Sequence, residues 1–349
     1  MAEKIRIVDA HTHIAAEKAG LAVEIMDRAG IDAAVVCEWY DGFDEALERH
    51  IRQFGRYEGR FFVFGNIDFS MADAADFADR AVGQVRRGVR AGMRGLKVYK
   101  DLGLSYRDGS GRLLRVDDAR LDAVWAAAGE LGIPVLIHTA DPRAFWQPID
   151  QHNPWGAILR DQPDWSYYRK GLPSRSELLA ERDAVVRRHR DTQFIAPHLG
   201  SLEDDFDALA ESLEALPNLH VDISARIFHM GSTPRRRQAA RQVCVDFADR
   251  ILFGTDTILL SEQVASDIQP QTFYTPGRLP KEYAEAGDVL SATSVWFYEF
   301  HRAFLQTDRR QTPIPFLCFD PATAVTGLDL PEEVLHKICH ANMERLLAG

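Results

Sequence analysis

The stretch Ile7-Val8-Asp9-Ala10-His11-Thr12-His13 decides how the rest of the chain is interpreted. It predicts a short apolar strand that ends in two histidines separated by one residue. Side chains two residues apart on a strand point to the same face. His11 and His13 therefore project together from the end of this strand, close enough for both imidazoles to bind one cation. We expect other parts of the sequence to bring further ligand-type residues to the same point.

Composition and charge narrow the class of protein. The 349 residues could form one large barrel or two average domains. The net charge of −11 and the absence of a long Lys/Arg run argue against nucleic acid or a membrane as partner. No apolar run is long enough to span a bilayer. The charged N-terminus shows no secretory signal, and the four cysteines have neither metal-type spacing nor disulfide density. These features predict a cytoplasmic protein.

Apolar, β-branched runs alternate with stretches of helical periodicity along most of the chain. The predicted strands cover residues 5–10, 33–37, 61–67, 95–99, 135–138, 193–198, 220–224 and 251–256. Eight strand-then-helix units predict a parallel sheet closed into a (β/α)8 barrel, the TIM barrel. A doubly wound open sheet is the alternative. It would usually carry a Gly-rich phosphate loop after strand one, where this chain has His-Thr-His.

The last unit of the predicted barrel is interrupted. A long insertion, residues 257–329, follows strand eight and contains a helix near Val289 to Leu305. The chain then ends in Pro331 to Leu347, which has proline in its first turn and is interpreted as the closing barrel helix. We therefore expect a single domain over residues 1–349, with the insertion between strand eight and the C-terminal helix.

Polar residues end five of the predicted strands, and in this fold functional residues lie at the C-terminal strand ends. They are His11 and His13 on strand one, Lys97 and Tyr99 on strand four, His138 on strand five, His198 on strand six and Asp256 on strand eight. A lone histidine at a strand end is more often a hydrogen-bonded structural residue than a ligand. Four histidines and an aspartate converging on one rim make coincidence a poor explanation, and such N/O donors suit Zn²⁺ or a similar metal. Asp9 lies deeper and is interpreted as a supporting partner, not a ligand.

The order of these motifs resembles that of the amidohydrolase superfamily, and more closely the amidohydrolase-related (amidohydrolase 2) family, over nearly the whole chain. The motifs are Asp9-Ala10-His11-Thr12-His13, Gly95-Leu96-Lys97-Val98-Tyr99, Leu136-Ile137-His138, Ala196-Pro197-His198-Leu199-Gly200, Asn218-Leu219-His220-Val221-Asp222 and Leu252-Phe253-Gly254-Thr255-Asp256.

The resemblance implies a ligand set for a divalent metal. It assigns His11, His13, His138 and Asp256 to the ligands of single-metal members. His198 would move protons near the substrate, and Lys97 would carry a bridging carbamate if there were two ions, with His198 then ligating the second. One ion is expected rather than two, with Zn²⁺ as the expected metal and Mn²⁺ as the alternative. Lys100 is an alternative lysine of opposite parity to Lys97.

The resemblance also implies chemistry on a small-molecule substrate. The expected reaction is hydrolysis of a lactone, amide or ester by metal-activated water, with Asp256 as base and His198 as proton carrier or oxyanion stabiliser. One alternative is a non-oxidative decarboxylase of the aminocarboxymuconate-semialdehyde decarboxylase type. Another is a barrel that binds a ligand without turnover. A homodimer is also compatible with the family.

Substrate choice is expected to come from the loops at the barrel mouth. Arg143 or Arg226 could bind a carboxylate through two parallel hydrogen bonds. Trp146 in the strand-five loop and Tyr99 at the end of strand four are further candidates for substrate contact. The alternative is that the aromatic residues of the loop 139–173 pack it on the barrel, and that the arginines pair with its acids.

Overall fold

A computed structural model describes residues 5–37, 42–259, 288–311 and 324–349 of the chain. Its main sheet has nine strands, all paired in parallel, in the order β8-β7-β6-β5-β4-β3-β2-β1-β9. The strands are β1 Val8–Ile14, β2 Ala33–Cys37, β3 Phe61–Gly65, β4 Gly95–Val98, β5 Val135–Ile137, β6 Phe194–Ala196, β7 Leu219–Asp222, β8 Ile251–Leu252 and β9 Thr257–Leu259. Arg310–Gln311 (β10) and Val325–Thr326 (β11) form a separate antiparallel pair.

The last two strands of the sheet are halves of one short segment and close the barrel. Strand β8 pairs with β7, and β9, four residues further along the chain, pairs with β1. Between them, the carbonyl of Phe253 accepts a hydrogen bond of 2.8 Å from the backbone of Ala10. The segment therefore joins the seventh strand to the first, which confirms the predicted (β/α)8 barrel over the open doubly wound sheet.

Helices surround this sheet and follow its strands. Their apolar faces and the outward faces of the strands form the larger core. Ser174 and Glu177 form a capping box at the start of the helix Arg175–Arg188. The helices are Ala19–Ala29, Asp44–Phe54, Phe77–Ala91, Asp101–Leu104, Asp122–Glu130, Gly156–Asp161, Arg175–Arg188, Pro197–Gly200, Phe206–Ala215, Ile227–Gly231, Pro234–Asp246, Val289–Gln306, Glu332–His336 and Asn342–Ala348, with a π-helical turn over Lys337–Ala341. Within the described residues, no helix is long and apolar enough to cross a membrane.

The first strand extends further than the sequence predicts and contains an irregularity that matters for the site. Val8 and Ala10 pack inside the barrel with Leu136 and Ile195. Strict alternation would then turn His11 outwards. The register with β2 shifts between Asp9 and Thr12, and His11 contacts interior residues despite its parity. The shift therefore lets the strand present apolar side chains to the barrel interior first and its histidines afterwards.

The predicted insertion begins with a barrel strand, β9. The helix Val289–Gln306 packs beside Ala19–Ala29 on the outside of the barrel. Two stretches of the predicted insertion, residues 260–287 and 312–323, lie outside the described residues. The C-terminal segment forms the predicted closing helix in two pieces around the π-helical turn. Three of its side chains, Met343, Leu346 and Leu347, complete the barrel's interior cluster.

Candidate active site

The C-terminal ends of four barrel strands turn through left-handed backbone at residues other than glycine. His198 and Leu199 follow β6 with φ of 59° and 56°, Ala225 follows β7 with φ of 52°, and Asp256 lies after β8 with φ of 65°. Ala140, after β5, has φ of 64°. Such conformations cost roughly 1–3 kcal/mol each and cluster at functional sites. The backbone at this end of the barrel is therefore held in conformations that reduce the stability of the fold, and we expect the functional residues to lie here.

The two histidines of β1 meet Asp256 at that end. The Nε2 atoms of His11 and His13 lie 3.3 Å apart. An Asp256 carboxylate oxygen is 3.7 Å from the first and 3.4 Å from the second. Both histidines are buried. One ligand atom from each of the three residues lies within 4.8 Å of the other two, a spacing that could hold a metal ion. The structure thus brings together three of the predicted ligands.

The hydrogen bonds of the Nδ1 atoms of His11 and His13 decide which ring nitrogen carries the proton. His13 Nδ1 lies 3.0 Å from the carbonyl oxygen of Cys37, which can only accept, so Nδ1 holds the proton. His11 Nδ1 donates to a carboxylate oxygen of Asp222 at 3.0 Å. Both Nε2 atoms therefore present lone pairs towards each other and towards Asp256. The two Nε2 atoms and the Asp256 carboxylate are electron-rich, and at these distances they repel one another unless a cation lies among them. Such a group of donor atoms is expected of a metal site.

Burial sets the protonation states at this site. Desolvation lowers the pKa of His11 and of His13 well below 6.5, and the charge of Lys97 lowers both further. Neutral imidazole is the form that binds metals. Desolvation also raises the pKa of Asp256 to about 7, although the positive charge of Lys97 opposes that rise. A carboxyl group with this pKa is suited to exchange protons near neutral pH.

Lys97 and Tyr99 both reach the histidine pair. The Lys97 Nζ atom lies 3.1 Å from His11 Nε2 and is almost completely buried. Burial lowers its pKa. The Tyr99 hydroxyl lies 3.5 Å from His13 Nδ1 and 3.5 Å from the carbonyl of Cys37. Tyr99 therefore contacts the Nδ1 side of the His13 ring, and Lys97 contacts Nε2 of His11.

His198 lies between two other histidines. Its ring centroid is 5.2 Å from that of His11 and 4.7 Å from that of His138. Its Nδ1 is 3.0 Å from the carbonyl oxygen of Ser224, so Nδ1 carries the proton and Nε2 is a bare acceptor. Burial lowers the pKa of His198 well below 6.5, helped by the charge of Arg226. The resting imidazole is therefore neutral and able to accept a proton.

His138 joins the site through His198, outside the ligand atoms of His11, His13 and Asp256. Its buried Nε2 has no hydrogen-bond partner within the described ranges and lies 3.8 Å from an Asp141 oxygen. Lys100 and the Tyr167 hydroxyl bind the other oxygen of Asp141, at 2.5 Å and 2.6 Å. Lys100 therefore neutralises Asp141 and does not approach His11 as Lys97 does.

The residues predicted to bind substrate differ in their burial and in the groups that they contact. Arg226 is buried, its Nε lies 3.5 Å from Glu203, and its charge lowers the pKa of both His198 and His138. Arg143 is exposed. The indole of Trp146 donates to the Pro173 carbonyl at 2.9 Å and its ring packs against Tyr167 in the strand-five loop.

Sequence reasoning missed Asp222 and Ser224. Both are fully buried at the end of β7, where Asp222 binds His11, and Ser224 binds His198 at 2.8 Å. A usable signal was present: like the other site residues, they end a predicted apolar strand. Asp9 is also buried, and it accepts hydrogen bonds from Thr255 and from the His11 backbone without contacting the ligand atoms.

Known structures share this fold at low sequence identity. A 2,6-dihydroxybenzoate decarboxylase bound to 2,6-dihydroxybenzoate is 16% identical, with a TM-score of 0.51 and coverage of 99% of each chain. An IDCase from Metarhizium anisopliae is 15% identical, with a TM-score of 0.58 and coverage of 99% of this chain and 97% of that one. A 4-oxalomesaconate hydratase from Rhodopseudomonas palustris is 11% identical, with a TM-score of 0.53 and coverage of 98% and 95%.

Sequence comparison gives a family. No curated protein matched the chain. A family model described as amidohydrolase, that of the amidohydrolase 2 family, matches residues 8–348 and so includes every site residue described above. The chain therefore belongs to the amidohydrolase family.

Proposed function

We propose that the protein is a metal-dependent hydrolase that cleaves a lactone, amide or ester bond in a small molecule. The observation that carries this proposal is the protonation pattern. His11 and His13 present bare nitrogens to one point, and His198 next to them is also unprotonated at Nε2. Hydrolysis begins by removing a proton from water, so a site that starts with unprotonated bases suits it.

Membership of the amidohydrolase family indicates a metal-dependent enzyme, and His11, His13 and Asp256 are the residues that would hold one divalent ion, with His138 as the predicted fourth ligand. When bound, such an ion supplies Lewis acidity and lowers the pKa of water to about 7. Zn²⁺ is the proposed ion and Mn²⁺ the alternative.

Proton transfer would be divided between two side chains of the site. Asp256, whose carboxylate oxygen lies 3.4 Å from His13 Nε2 and 3.7 Å from His11 Nε2, accepts the proton of the attacking water. His198 takes this same proton on Nε2 and passes it to the leaving group, so that both side chains return to their starting protonation states. The left-handed backbone at both residues fixes where these atoms lie. Proximity of this kind contributes to the rate because the reacting groups need no further ordering.

A second candidate function rests on the cations around the site. Lys97, Lys100 and Arg226 each affect the titration of His138 and Asp256, so all three lie near the centre. The positive electrostatic potential of these three cations favours a substrate that carries a carboxylate. Loss of that carboxylate as carbon dioxide, a decarboxylation, is therefore the alternative reaction. It needs a proton donor to carbon, and Asp256 in its protonated form would be that donor.

One experiment separates the two reactions. The metal-loaded protein is incubated with carboxylated lactones, amides, esters and aromatic acids in water labelled with heavy oxygen or deuterium. Hydrolysis adds one water molecule, so the product gains one labelled oxygen. Decarboxylation releases carbon dioxide, and the product gains one deuterium on carbon instead. Label in the oxygen position supports the hydrolase, and deuterium on carbon with carbon dioxide release overturns it in favour of the lyase.

Two variants link either activity to this site. His198→Asn should keep the metal but lose turnover, because the ligand atoms remain and the proton carrier is gone. Asp256→Asn should lose both. Turnover that survives unchanged in both variants would show that the activity comes from another place.

A further inference from the structure

Asp222 lies beneath the histidine cluster and divides its two carboxylate oxygens between two partners of the site. One oxygen accepts a hydrogen bond from His11 Nδ1 at 3.0 Å. The other accepts from the backbone N–H of His198 at 2.9 Å, from that of Ser224 at 3.0 Å and from the Ser224 hydroxyl. The carboxylate is fully buried. One side chain thus touches both a predicted metal ligand and the loop that carries the predicted proton carrier.

Each contact fixes something that the chemistry needs. A carboxylate can only accept from His11 Nδ1, which leaves Nε2 bare for a cation. The hydrogen bond to the His198 backbone holds a residue whose φ is 59°, a conformation that needs outside support. The Ser224 hydroxyl donates to Asp222 and so must accept from His198 Nδ1 at 2.8 Å. This reinforces the tautomer in which His198 Nε2 is bare.

The neighbouring strand is shaped to leave room for this carboxylate. Gly254 lies against Asp222, and a Cβ atom at position 254 would be 3.0 Å from the Asp222 Cβ and 3.1 Å from its Cγ. Both distances are shorter than ordinary van der Waals contacts, so a larger residue would displace the carboxylate. The packing therefore preserves the position of Asp222 as well as its charge.

We propose that Asp222 is the positioning residue of the metal centre, holding His11 in the metal-binding tautomer and fixing the backbone of His198 through the same carboxylate. The proposal rests on the proposed metal centre but not on the reaction. A rival interpretation exists, because ligand atoms of His11, His198 and Asp222 also lie within 4.8 Å of one another and could hold an ion themselves. The hydrogen bonds argue against it, since the protons of both Nδ1 atoms occupy that space.

The test measures metal affinity without any substrate. Zn²⁺ dissociation constants are determined by competition with a chelating dye for the wild type, Asp222→Asn and Ser224→Ala. If the amide nitrogen of the asparagine faces His11 Nδ1, it donates a hydrogen bond there, and the His11 proton then moves to Nε2. We expect Asp222→Asn to weaken Zn²⁺ binding roughly 10- to 100-fold, as removal of such supporting partners does. Ser224→Ala keeps the Asp222–His11 bond and removes the hydroxyl that lies 3.2 Å from His11 Nδ1, so it should weaken Zn²⁺ binding less than Asp222→Asn does.

Histidine tautomers give a second readout, which does not need the Asp222→Asn variant to fold. Nitrogen NMR of the metal-free wild type should show His11 protonated on Nδ1, with the signal assigned from its loss in His11→Asn. A His11 protonated on Nε2, or an Asp222→Asn protein that binds Zn²⁺ as tightly as the wild type, would overturn the proposal. Two ions per wild-type chain, one of them lost in Asp222→Asn, would overturn it in favour of the rival metal site.

Discussion

The Nε2 atoms of His11 and His13 lie 3.3 Å apart although neither carries a proton. The Nδ1–H of His11 is hydrogen-bonded to Asp222, and that of His13 is hydrogen-bonded to the Cys37 carbonyl. Neither ring can therefore turn its N–H towards the other. A nearby oxygen of Asp256 adds negative charge to the same place. The Lys97 Nζ atom lies 3.1 Å from His11 Nε2 and brings a positive charge to the pair. A divalent ion would relieve the repulsion more completely.

Metal content should depend on the residues that meet at this point. Protein purified with added Zn²⁺ or Mn²⁺ should contain about one ion per chain by elemental analysis, since the site is built for a single cation. His11→Ala and Asp256→Ala should each reduce that content to background, because each removes a donor atom. His152→Ala is the matched control, since His152 is an exposed loop residue. Equal metal content in all four proteins would contradict the proposed site.

Removing the metal should lower thermal stability. An ion that binds the folded chain and not the unfolded one stabilises it by about 2.7 kcal/mol when its free concentration is 100 times the dissociation constant. Treatment with a strong chelator should therefore lower the melting temperature of the wild type, and added metal should restore it. His11→Ala should show no response to chelator. A chelator effect of equal size in both proteins would mean that the stabilising ion binds elsewhere.

The sequence predicted the parts of the structure that follow from local patterns. Alternating strand and helix signals predicted the barrel. Polar residues at strand ends predicted a site at His11, His13, His138, His198 and Asp256. The structure brings ligand atoms of His11, His13 and Asp256 within 4.8 Å of one another, and His198 and His138 lie beside them. Strand ends were less well predicted: β1 continues through His13 to Ile14, because pairing with β9 extends it beyond the apolar run. The closing segment, predicted as one strand over 251–256, is split between two pairing partners.

The direction in which an individual side chain faces could not be predicted. Nothing local to Asp222 shows that its carboxylate faces His11, which lies 211 residues earlier in the chain. The same holds for Arg143 and Arg226, which looked equivalent as candidates for binding a carboxylate. One is exposed on the strand-five loop, and the other is buried beside Glu203, because helix and loop packing decides which cation faces the centre.

Arg226 should determine affinity for the substrate's carboxylate. Arg226→Met should reduce kcat/KM for a carboxylated substrate roughly 10- to 150-fold. This corresponds to about 1.5–3 kcal/mol, the free energy expected for a lost hydrogen bond to a charged group. Metal content should stay constant, because Arg226 lies outside the ligand atoms. Arg143→Met is the control and should change kcat/KM by less than about twofold. The prediction is refuted if the two variants behave alike, or if uncharged substrates lose as much as carboxylated ones.

Acid sensitivity should come in part from His301, a histidine remote from the ligand atoms. It is fully buried on the helix Val289–Gln306, its Nδ1 donates to the Phe297 carbonyl at 2.8 Å, and its Nε2 has no partner in the described part of the chain. Burial lowers its pKa from 6.5 to about 4, although the hydrogen bond to the Phe297 carbonyl acts in the opposite direction. Between these two pH values the unfolded chain binds a proton that the folded chain does not.

The free energy of unfolding should therefore fall as the pH decreases from 6.5 to 4, by about 1.4 kcal/mol per pH unit from this residue. Below pH 4 both states are protonated and the contribution levels off. His301→Gln cannot titrate, and its urea midpoint should fall less steeply over that interval than the wild-type midpoint. His152→Gln, at an exposed position, should keep the wild-type slope. Parallel slopes for His301→Gln and the wild type would show that His301 is not a source of the acid sensitivity.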